Sequence, residues 1–82
     1  MEDNKIFDFS LLNGRIVEKY TTQFNFALAM GISERTLSLK LNNKVAWKTT
    51  DIIKACNLLE IPIEDVHKYF FKTKVQKFEL NK

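Results

Sequence analysis

Between Thr22 and Lys44 the sequence reads TQFNFALAMGISERTLSLKLNNK, and the fold turns on this stretch. The Thr22 hydroxyl can take a free backbone N–H of a first helical turn, so a helix is expected over about Gln23–Met30. Gly31 ends it, because glycine enters the left-handed conformation that reverses the chain at little cost. Ser33 is a second N-cap, and a further helix runs from it to about Leu41, with Leu37 and Leu41 on one face. Asn42-Asn43 closes that helix, asparagine being the next-best residue for a left-handed cap. Ala27 is small and lets the two helices approach closely. Two short capped helices joined by Met30-Gly31-Ile32-Ser33 have the layout of a helix-turn-helix.

Helical patterns flank this pair on both sides. Over Ser10–Tyr20, Leu12, Ile16 and Tyr20 recur every four residues, with Ser10 as the expected N-cap and Gly14 as a weak point. Thr49-Thr50-Asp51 opens a fourth helix to about Leu59, with Ile52, Ile53, Cys56 and either Leu58 or Leu59 inward. Pro62 separates a fifth, which carries Glu64 and Asp65 in its first turn and continues through Val66, Tyr69 and Phe70. Beyond Phe71, Phe78 and Leu80 alternate with charges, a weak strand pattern. The expected fold is all-α with five helices, one domain over residues 1–82, an N-terminal arm (1–8) and a basic C-terminal tail (72–82).

Composition narrows the function. The 82 residues are 45% hydrophobic and 12% aromatic, enough for one small core and too much for a disordered chain. No apolar run approaches the roughly 18–20 residues of a membrane span, and the polar opening Met1-Glu2-Asp3-Asn4-Lys5 lacks the pattern of an export signal. With the single cysteine, Cys56, read as a small buried hydrophobe, the expected setting is cytoplasmic. The net charge of +3 is unevenly spread. Residues 21–48 set Arg35, Lys40, Lys44 and Lys48 against Glu34 alone, and residues 70–82 set Lys72, Lys74, Lys77 and Lys82 against Glu79. Such blocks are solvated faces or polyanion sites. His67 and Cys56 do not form a zinc-ligand set, and no nucleophile has a base and an orienter, so neither cofactor nor enzymatic activity is expected.

With Leu37 and Leu41 inward, Arg35, Ser38, Leu39 and Asn42 form one stripe on the opposite face of the third helix. Arginine grips guanine O6 and N7 as a fork, serine takes either partner, and an apolar side chain meets a thymine methyl. The bland alternatives stay open: Glu34 as a favourable anion at a helix N-terminus, Arg35 and Lys44 as solvated charges, Leu39 packed on a loop. Trp47 is expected to anchor the loop to the core. Phe24 and Leu28 form a surplus apolar pair at i and i+4, which Phe7 and Phe9 of the arm, the tail, or a second copy would have to cover.

Phe26 to Ser38, with its order apolar-Ala-x-x-apolar-Gly-apolar-Ser, resembles the helix-turn-helix of the phage Cro/cI-type (XRE-like) repressors. The run from Phe9 to Gln76 is similar to small, uncharacterised phage-encoded regulators. The resemblance implies base contacts from Glu34, Arg35, Ser38 and Leu39, and phosphate contacts from Gln23, Asn42, Asn43 and Lys44. It implies a double-stranded DNA partner, repression, and a homodimer on half-sites about one helical turn apart. Tyr69 to Leu80 is the expected dimer surface, and no small-molecule ligand or membrane is implied. The alternative is a helical protein-interaction module, such as an anti-repressor that keeps the fold without DNA binding. Asn43 departs from the family's usual glycine, Leu28 from a polar residue, and Lys40 from a buried apolar one, which would shift that inward contact to Leu41.

Overall fold

The structure, a computed structural model, describes residues 7–74. Within them the elements run α1 (Ser10–Tyr20), α2 (Gln23–Met30), α3 (Glu34–Leu41), α4 (Thr49–Leu59), a 3-10 turn (Ile63–Asp65) and α5 (Val66–Phe70). The fold is all-α, as the periodicity predicts. The alternating stretch at Phe78 and Leu80 lies outside the described residues.

The central pair forms for the reasons written in its sequence. Thr22 Oγ1 accepts the Asn25 N–H at 3.1 Å, and Ser33 Oγ accepts the Thr36 N–H at 3.0 Å. Gly31 sits at φ 78°, and its N–H closes α2 onto the Ala27 and Leu28 carbonyls. The cap of α1 differs from expectation. Ser10 is already helical, and Asp8 Oδ1 instead accepts both the Ser10 N–H at 2.9 Å and its hydroxyl at 2.7 Å. A carboxylate two residues upstream reaches these donors better than the serine can reach its own turn. The far end of α4 is closed from α1: Arg15 Nε donates to the Leu59 carbonyl at 2.9 Å, and a terminal guanidinium nitrogen donates to the Glu60 carbonyl at 3.2 Å.

Phe26, Phe70, Leu12, Ile16, Leu37 and Leu59 are the largest fully buried side chains. They come from every α-helix, so no helix can leave without exposing core. Ile53, expected inward, is exposed; Ala55, Cys56 and Leu59 set the buried face of α4, and a residue two positions before Ala55 points the other way. Trp47 packs as expected, edge-on to Phe70 at 5.1 Å between ring centroids and 6.2 Å from Phe9.

Lys40 overturns its expectation. It is buried at 5% exposure, while Leu41 is only partly buried. Its Nζ donates to Asp51 Oδ2 at 2.9 Å and to the Ala46 carbonyl at 3.1 Å, beneath the Trp47 ring. The inward position is kept, and a long cation with internal acceptors fills it. Asp51 Oδ2 also accepts the Lys48 N–H at 2.9 Å, which opens α4. Burial alone would raise the Asp51 pKa; the Lys40 and Lys48 hydrogen bonds and charges outweigh it and hold the carboxyl below its usual range.

Two tests follow from this pair. Asp51→Ala strands a buried ammonium and should cost about 3–5 kcal/mol in urea denaturation, whereas Lys40→Met with Asp51→Ala should recover most of the loss. Because the folded Asp51 pKa is depressed, its contribution should be complete above about pH 4–5 and fade as pH falls through the folded value. The wild-type urea midpoint should therefore drop between pH 5 and pH 3 by more than that of Asp51→Asn.

Candidate functional site

The expected stripe on α3 is real as a surface. Glu34 and Arg35 are exposed, and Ser38 and Leu39 are half-buried. These four, with Gln23 from the start of α2, border one shallow groove. Base-facing and phosphate-facing expectations thus meet in space, across the turn made by Gly31. Gln23 is held by α1: its Nε2 donates to Asn13 Oδ1 at 2.8 Å. Asn42 leans back along α3, its Nδ2 donating to the Ser38 carbonyl at 2.8 Å.

The exit loop is tied to the N-terminal segment through Asn43. Asn43 is left-handed at φ 64°, as expected of asparagine after a helix. Its side chain, however, is spent within the molecule. Oδ1 accepts the Phe7 N–H at 2.9 Å, and Nδ2 donates to the Phe7 carbonyl at 3.0 Å. This two-pronged clamp accounts for asparagine where the resembled family has glycine: glycine would relieve the backbone but could hold nothing. Lys44 is exposed, and after it come the exposed Val45 and Ala46, so the loop turns an apolar edge outward.

Of the four cations in the central block, Lys40 is neutralised inside by Asp51. Arg35, Lys44 and Lys48 remain exposed, with Glu34 beside Arg35. The free positive charge on this side is smaller than the sequence count suggests. Sequence reasoning missed the Lys40–Asp51 pair. Its signal was present: Lys40 lies three residues after buried Leu37, and Asp51 is the sole acid between Glu34 and Glu60.

Among the described residues, Phe7 and Phe9 do not cover Phe24 and Leu28. Phe7 and Phe9 pack toward Trp47 and Phe71 instead, and the surplus pair stays exposed, Phe24 at 50% and Leu28 at 63%. The two ends of the described stretch do meet, through one antiparallel bridge between Phe7 and Thr73 and an Asp8 N–H to Lys72 carbonyl bond of 2.7 Å. Asp8 is held below the usual carboxylate range by the Ser10 hydroxyl and N–H bonds, with Lys72 and Lys74 adding charge. Among the described residues no group of acids, histidines and cysteine could hold a metal, and no helix is long and apolar enough to cross a membrane.

Fold and surface together define a five-helix all-α domain that presents one short helix over a tight glycine turn. The chain belongs to the family described as "Protein of unknown function (DUF739)", which matches residues 5–73. It is similar to the solution structure of the modulator of repression (MOR) of the temperate bacteriophage TP901-1 from Lactococcus lactis. That match has 57% identity and a TM-score of 0.73, covering 85% of this chain and 95% of the other. No curated protein sequence matches it.

The clamp gives a direct test. Asn43→Ala loses both bonds to Phe7 and keeps the left-handed strain, so it should lower stability by about 1–3 kcal/mol. Asn43→Gly loses the bonds but relieves the backbone and should fall between Asn43→Ala and wild type in thermal unfolding.

Proposed function

We propose that this protein is a regulator of a phage repression switch and that it acts through a protein of that switch, contacted by the outer face of α3. The name of its 57%-identical relative, a modulator of repression, supports the regulatory role. The character of the surface favours a protein partner. One observation carries this reading: two polar groups that flank the presented helix have been drawn into the molecule, leaving Arg35, Lys44 and Lys48 as the exposed cations of the central block. Lys40 serves Asp51, Asn43 serves Phe7, and the loop beyond presents Val45 and Ala46. DNA affinity comes chiefly from cations neutralising phosphates, and here Arg35 stands beside Glu34. A face with one arginine, one leucine and small polar groups suits a protein interface, where arginine and apolar anchors carry most of the binding energy.

In this reading Arg35 and Leu39 are the anchors, Glu34 and Ser38 set complementarity, and Gln23 and Asn42 frame the groove. A second reading keeps double-stranded DNA as the partner, with α3 in the major groove and Lys44 on the backbone. It is favoured by the geometry that brings Gln23, Glu34, Arg35, Ser38 and Leu39 to one groove.

Mobility-shift experiments separate the two. The protein alone should leave operator duplex unshifted at low salt, and should alter the shift made by the repressor it accompanies. Arg35→Ala with Leu39→Glu should abolish that effect while retaining the helical circular dichroism. A shift by the protein alone, weakening steeply with salt, would establish the DNA reading instead.

A further inference from the structure

A second surface lies on the far side of the exit loop. A groove of about 390 Å³ runs between Asn43–Trp47 and the paired terminal segments. Its floor is Phe9, Ile52 and Phe70, its walls are Trp47 and Phe7, and exposed Val45 and Phe71 form its lips. This volume is within the range of ligand sites, and apolar side chains around an open trough are unusual on a surface without a partner. The charges are one-sided. Among the described residues the only charged ones lining the groove are Lys40, already paired, and exposed Lys44, and no carboxylate lines it. Lys48, exposed, immediately follows the Trp47 wall in sequence, whereas Lys72, after the Phe71 lip, is paired with Asp8 at 3.9 Å.

We propose that this groove is a docking site for an extended acidic peptide segment of a partner protein, one bulky apolar side chain of which fills the trough. The apolar walls take the anchor, and Lys44, with Lys48 beyond the Trp47 wall, attracts flanking carboxylates. Charge complementarity selects this occupant. A nucleic acid would set phosphates against Val45 and Phe71, and a basic segment would meet lysine. The site is separate from the α3 groove, so it stands whichever macromolecule α3 contacts.

Trp47 is the sole tryptophan, so its emission and its buried, unpartnered indole Nε1–H report on the groove directly. The intact protein is titrated with the capped hexapeptides DDLFDD, DDSSDD and KKLFKK, and with a random-sequence DNA duplex. DDLFDD should shift both Trp47 signals saturably, and the other two peptides should bind at least about tenfold more weakly. Val45→Glu and Phe71→Ser, both at exposed positions, should each weaken DDLFDD by a similar factor with helical circular dichroism unchanged. The proposal fails if DDLFDD gives no saturable shift at millimolar concentration, if KKLFKK binds as well, or if neither variant matters. It also fails if duplex DNA displaces the peptide, or if the Trp47 signals change with protein concentration alone, which would assign the groove to a second copy.

Discussion

A buried ammonium holds the working side of this molecule together. Lys40 leaves the inner face of α3, crosses under the Trp47 ring and ends on Asp51 and the Ala46 carbonyl. Asp51 in turn receives the Lys48 N–H at the start of α4. One charge pair thus fixes the end of α3, the course of the exit loop and the beginning of α4. A pair of this kind adds little net stability over an apolar substitute, but it tolerates few alternative arrangements once formed. Its second effect is electrostatic: a cation that the sequence places in a basic block is removed from the surface.

The Asn43 clamp continues the same theme. In each case a polar group next to the presented helix turns inward, and what remains outside is mixed and partly apolar. Arg35 and Leu39 stay available on α3, while Val45, Phe71, Phe24 and Leu28 add exposed hydrophobic area elsewhere. The scaffold that presents this helix is indifferent to whether base edges or a protein lie opposite.

The helices were legible in the sequence because their signals are local. Thr22, Gly31 and Ser33 act within one turn of themselves, and the spacing of Leu12 and Ile16 or of Cys56 and Leu59 reads directly as a face. The misreadings concern partners distant in sequence. Lys40 meets Asp51 eleven residues on, and Asn43 meets Phe7 thirty-six residues back. The spacing of Lys40 from Leu37 places it on the inner face, but the acid that would let it stay there lies beyond the end of α3. Ile53 misled for a different reason: it lies two residues before buried Ala55, nearly opposite it round the helix, so it faces out. The α3 stripe was legible as geometry, but its balance of charge was not, because that depends on which cations are neutralised within.

The meeting of the two ends has a topological consequence. Phe7 and Thr73 face each other across one bridge, so the described chain comes in and goes out at a single corner, beside the Asn43 loop. A short covalent link across that corner would close the molecule into a ring with little disturbance of the helices. The freedom given up in the ring would belong to the unfolded chain, which is where such closure stabilises a protein.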